Sequence, residues 1–168
     1  FAWLWIALAK RKLEPSTPVK FALGIIQAGL GFGALVYGAT HPNEAGYVAA
    51  WWLILAYALH TMGELCISPV GLSMITKLSA PKVVGLMMGV WFLASAFGEM
   101  IAGRFGALAS MPAGTPVPDA LAIYGEVFAL LGWVGVGAAV FMFAIGPLLN
   151  RKIHQAQAQA AVGTAAAA

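Results

Sequence analysis

Charge is what this sequence has least of: Asp, Glu, Lys and Arg make up 9% of its 168 residues, against about 25% in a soluble domain. With 61% hydrophobic residues beside them, that scarcity excludes a water-soluble globule and leaves an integral membrane protein. Cysteine is nearly absent as well. Cys66 is the only one, so neither a disulfide framework nor a cysteine-based metal site is available. Also missing are ten-residue segments of alternating polarity, which a membrane barrel would need. The fold class is therefore all-α integral membrane.

The few charges are placed with a pattern. Lys10, Arg11, Lys12 and Lys20 sit in one connector, Lys77 and Lys82 in another, and Arg151 and Lys152 after the last apolar segment, while Arg104 stands apart. The connectors Thr40 to Tyr47 and Ser110 to Ala120 carry no cation. A net charge of +3 distributed in this way does not suit nucleic acid. It is the positive-inside alternation, which puts the first, third and fifth connections in the cytoplasm. Four spans are predicted, at 21–40, 47–76, 83–110 and 120–149, each long enough for a core of about 30 Å. The opening run of 1–9 is too short to cross and reads as the end of a truncated helix, so a C-terminal fragment of a larger multi-pass protein is expected. Residues 1–154 are taken as a transmembrane half-bundle and 155–168, rich in Gln and Ala, as a disordered cytoplasmic tail. Small residues at Gly29/Gly33, Gly85/Gly89 and Gly135/Ala139 have the spacing of close helix contacts.

The chemistry is concentrated in Gly63 to Ser73, where a carboxylate, a hydroxyl, a proline and a glycine interrupt a span. An ionisable side chain at that depth is costly, and by default it marks a substrate or ion pathway. Pro69 lacks the N–H that the Leu65 carbonyl would accept, freeing a backbone acceptor close to Glu64. His60, Glu64 and Ser68 recur every four residues and form a polar stripe; Trp91, Ser95 and Glu99 repeat the spacing in the next span. Counting from the cytoplasmic ends, Ser68 and Trp91 fall at the same depth, eight residues in, or about 12 Å. Each member also has a plainer reading. Glu64 can pair with a distant cation, Ser68 can back-bond to the carbonyl four residues earlier, Trp91 can be filler or an interfacial belt residue, and His60 can be a packed, hydrogen-bonded histidine. Glu99 is open in both directions. A hydrolytic triad is excluded, since one straight helix cannot set His60 between Ser68 and Glu64. A metal site would need ligands that this face lacks, so no enzyme is expected.

The segments Gly-Glu-Leu-Cys-Ile-Ser-Pro-Val-Gly-Leu-Ser (63–73), Thr-Lys-Leu (76–78) and Gly-Leu-Met-Met-Gly-Val-Trp-Phe-Leu (85–93) resemble the tenth and eleventh helices of proton-dependent oligopeptide transporters, a branch of the major facilitator superfamily. The resemblance runs from the end of helix eight to helix twelve, and the short connector at 40–47 resembles bacterial members. It implies proton-coupled symport of di- and tripeptides across a bacterial inner membrane, with the C-terminus cytoplasmic, membrane lipid as surroundings and the proton as coupling ion in place of any cofactor. It also implies a missing N-terminal six-helix half that holds the proton-handling and carboxylate-binding residues. Carried over by position, Glu64 receives the peptide amino terminus, Ser68 lies beside it and Trp91 walls a side-chain pocket. His60, Ser95 and Glu99 are secondary candidates, and Glu99 departs from the neutral polar residue usual there. The same scaffold carrying nitrate or a peptide-like metabolite, or a helical scaffold that transports nothing, are the alternatives.

Overall fold

The computed structural model describes residues 2–166, and the side chains of 3–158. Five helices follow one another: α1 (Ala2–Lys10), α2 (Thr17–Thr40), α3 (Ala50–Leu78), α4 (Val84–Leu108) and α5 (Val117–Ala166). Four of them, α2 to α5, are long and apolar enough to cross a membrane.

The start and stop signals are local. Pro18 sits in the first turn of α2, where a missing N–H forfeits no bond, so the helix begins at Thr17, ahead of the expected residue 21. In the connector after α2, Asn43 Oδ1 accepts from the backbone N–H of Ala45 (3.1 Å) and Tyr47 (2.8 Å), and Gly46 takes φ +80°. That turn delays α3 to Ala50. Asp119 in the first turn of α5 complements the positive end of its dipole.

α5 includes most of the stretch expected as a tail. It is continuous for 50 residues, about 75 Å, through Pro147 and on through residues 155–166, which were expected to be disordered. Ala and Gln are good helix formers, and once α5 supplies a nucleus, propagation needs no apolar face. Residues 167–168 of that expectation lie outside the described residues.

α2 lies between α3 and α5, and α4 flanks α3. Large side chains contribute little to the core; its buried apolar members are Ala22, Ala56, Cys66 and Ala139. The helices instead meet backbone to backbone. A Cβ added to Gly63 would fall 2.6 Å from the Gly24 carbonyl oxygen, and one on Gly24 would fall 2.7 Å from that of Gly63. Between α2 and α5, a Cβ on Gly135 would meet Gly29 Cα at 3.3 Å. Without a hydrophobic drive in lipid, such close approach is what gives membrane helices their packing energy. Of these expected pairs, Gly29 and Gly135 thus correspond to contacts and Ala139 is buried, whereas a Cβ on Gly33 meets nothing within 4 Å. Gly85 and Gly89 make no such contact: a Cβ on either meets nothing within 4 Å, because α4 touches the rest only lightly and none of its residues is buried.

Candidate functional site

α3 positions the carboxylate through the residues beside it. Gly63 is buried against Gly24, and Cys66 against Gln27, whose Nε2 lies 3.5 Å from Cys66 Sγ and donates to the Leu23 carbonyl at 3.2 Å. Ile67 packs on Gly24. With that face committed to α2, Glu64 is turned away from α2 and exposed, and Ser68, one turn on, is half-buried. Leu65 and Pro69 occupy a further side of the helix, and Pro69 is accommodated inside α3. Glu64 and Ser68 therefore stand on a face of a membrane-spanning helix that packing against α2 leaves open. An acceptor of this kind suits a cation, and a charge-assisted bond made in a place poor in water is stronger than its neutral counterpart.

Trp91 brings α4 against this helix. Its ring lies over Gly71, so closely that any Cβ there would collide with Cη2, Cζ3 and Cζ2. The ring also stands edge-on to Phe21 of α2, with centroids 6.4 Å apart and planes at 88°, a favourable aromatic geometry. Three residues separate Gly71 from Ser68, so the ring meets α3 about 4.5 Å nearer its C-terminal end than the equal depth expected. Glu64, Ser68 and Trp91 thus line one stretch of α3 and its junction with α4.

The outer members of the two stripes do not join them. His60 is packed on α2: its Nε2 hydrogen-bonds the Ala28 carbonyl at 3.1 Å, its ring lies 4.7 Å from that of Phe32, and Gly31 leaves room for it. The reason is helical drift. Residues four apart advance by about 40° around the axis, so a stripe that starts near the α2 side at His60 has rotated by about 80° when it reaches Ser68. On α4 the same drift separates Trp91 from Ser95 and Glu99, which are exposed. The Ser95 hydroxyl donates to the Trp91 carbonyl of its own helix at 3.2 Å. The back-bond considered for Ser68 is thus made by Ser95.

Three polar residues escape a reading by spacing. Gln27 joins α2 to α3, and its signal is a lone amide within an apolar span. Lys20, counted above as a connector charge, is inside α2 and buried, paired with Glu14 and with its Nζ 4.9 Å from the centre of the Trp5 ring. Glu126 is a further carboxylate inside α5, exposed among the described residues.

Residues 1–124 match the POT family. A dipeptide and tripeptide permease A of Edwardsiella piscicida is 44% identical over 136 residues, which are 80% of this chain and 28% of the permease. The structure of tetrameric PepTSo2 superposes with a TM-score of 0.67 at 30% identity, covering 79% of this chain and 27% of that one. A solved structure from work on substrate recognition in proton dependent oligopeptide transporters gives a TM-score of 0.67 at 29% identity, covering 88% and 32%. The chain therefore spans roughly a third or less of the length of these relatives.

Proposed function

This chain belongs to the POT family, and from that premise we propose that it forms one wall of the binding site of a proton-coupled carrier of di- and tripeptides. The carrier works by alternating access, rocking two six-helix halves about a site near the midplane. The chain supplies the end of helix eight and helices nine to twelve; the other half supplies the groups that bind the peptide carboxylate and handle the proton. The protein resides in a bacterial inner membrane with the C-terminal end of α5 in the cytoplasm, as the Lys/Arg distribution supports.

The observation that carries this reading is the orientation of Glu64. It is an intramembrane carboxylate on the face of α3 not used against α2, one turn from Ser68 and on the helix against which Trp91 is seated. In this role Glu64 accepts the ammonium of the peptide amino terminus, Ser68 offers a hydroxyl beside it, and the Trp91 ring bounds the side-chain pocket. Proton release and peptide capture are then coupled through the charge on the carboxylate side of the site.

The test uses the full-length transporter in proteoliposomes and a dipeptide with its amino terminus free or blocked. Glu64→Gln keeps the size of the side chain and removes its charge. Loss of a charge-assisted bond to a buried ammonium costs about 1.5 kcal/mol or more, roughly tenfold in affinity. Wild type is expected to prefer the free peptide, and the variant to lose most of that preference while inserting normally. A variant with wild-type affinity and discrimination would remove Glu64 from the site.

A further inference from the structure

A cavity lies on another side of α3, away from the Glu64 face. It has a volume of about 510 Å³. Its wall along α3 is apolar at one end, with Leu65, Pro69 and Val70, and ends at Lys77; α2 contributes Thr17 and Lys20. Lys20 is a buried cation whose partner, Glu14, is itself only partly covered. Lys77 is exposed and has no ion pair among the described residues. The lining therefore carries one net positive charge. Lys10 at the end of α1, and Arg11 and Lys12 in the connector that holds Glu14, are all exposed.

The depth of the cavity identifies what fits it. Gln157, in the C-terminal part of α5, also lines it. Lys77 stands in the last turn of α3, a helix long and apolar enough to cross a membrane, and Leu65 lies twelve residues further in along it, about 18 Å. The polar, cationic end thus lies at headgroup level, and the apolar end reaches the level of Leu65, inside the bilayer. A ligand complementary to both ends has an anionic head and a hydrocarbon tail. Basic pockets between membrane helices at the cytoplasmic surface recognise such heads by charge.

We propose that this cavity seats one anionic phospholipid, with its phosphate at Lys77 and Lys20 and an acyl chain along Leu65, Pro69 and Val70. The Glu14–Lys20 pair sets the strength of the site: Glu14 neutralises part of the positive charge, and removing it exposes that charge to the lipid. The site is separate from the one that holds Glu64, so the lipid is neither a substrate nor a competitor of the peptide.

The experiment counts lipids retained by the purified full-length transporter in neutral detergent, by native mass spectrometry, with phosphatidylglycerol and phosphatidylcholine supplied in equal amounts. Wild type is expected to retain phosphatidylglycerol preferentially. Lys77→Gln should reduce that preference about fivefold, the effect of one cation near a membrane surface, and Lys77→Arg should restore it. Glu14→Gln should raise it. Val70→Trp, which fills the cavity without changing charge, should reduce retention. Millimolar inorganic phosphate should not displace the lipid. The proposal is overturned by equal retention of the two lipids by wild type, by an unchanged preference in Lys77→Gln, by a loss that requires neutralising Lys10, Arg11 and Lys12 instead, or by displacement with phosphate, which would indicate a free-anion site. Lys77 is exposed, so its replacement leaves the fold intact and the comparison interpretable whatever Glu14→Gln does to packing.

Discussion

Replacing Gly71 with alanine should change which peptides the carrier prefers, even though residue 71 is not among the residues proposed to touch the peptide. The added Cβ would fall 2.7 Å from Cζ3 and 2.9 Å from Cζ2 of Trp91, and closer still to Cη2, where an ordinary contact begins at 3.4 Å. The ring must move by at least ~0.7 Å, since the α3 backbone is held on its other side by Gly63 against Gly24. Movement disturbs the edge-on pair with Phe21, a contact worth about 0.5–1.5 kcal/mol. If the ring bounds the side-chain pocket, the same energy is redistributed among substrates. The ratio of apparent affinities for dipeptides with small and with aromatic side chains should therefore change by roughly two- to tenfold. Discrimination between free and blocked amino termini should hold, because Glu64 is untouched. Competition against labelled dipeptide uptake in proteoliposomes reads both ratios. A Gly71→Ala, Trp91→Ala cycle adds a check: with the ring gone, the extra methyl has nothing to strike, so the two effects should be strongly non-additive. An unchanged side-chain ranking in a stably folded Gly71→Ala protein would refute the assignment of Trp91 to the pocket wall.

Other expectations follow from the same packing. Gly63→Ala places a methyl against backbone, the Gly24 carbonyl, which cannot rotate aside; a loss of about 1–3 kcal/mol, seen as a lower thermal transition in detergent, is expected, and an unaltered transition would contradict the close crossing of α2 and α3. His60→Ala should destabilise the α2–α3 pair by breaking the bond to the Ala28 carbonyl while leaving the proton dependence of uptake unchanged; loss of proton coupling in a stable protein would make His60 a relay after all. For topology, single cysteines at Asn43 and Lys82 in a Cys66→Ala background should label from opposite sides of the membrane, and equal access from outside would overturn the orientation.

The number of spans, their approximate positions and the residue most worth testing were legible from the sequence, and for one physical reason. Insertion into a bilayer is close to a sum of local transfer terms, so a run of apolar residues declares itself, and a carboxylate within it is conspicuous wherever the helix ends up facing. Helix ends were less legible: the Asn43 turn moved the start of α3 and Pro18 that of α2, while α5 ran on past its expected end because a helix already nucleated needs no apolar face to continue. Which way each side chain points was decided by tertiary structure alone. A four-residue spacing groups His60 with Glu64 and Ser68, yet the rotation of α3 about its axis is set where Gly24 and Gly63 let two backbones touch. That contact turns His60 onto α2 and Glu64 away from it. Likewise Lys20 reads as one of four connector cations until folding buries it between Glu14 and Trp5. Depth in the membrane is a property of a segment. Azimuth is a property of a pair of helices, and it enters only when they pack.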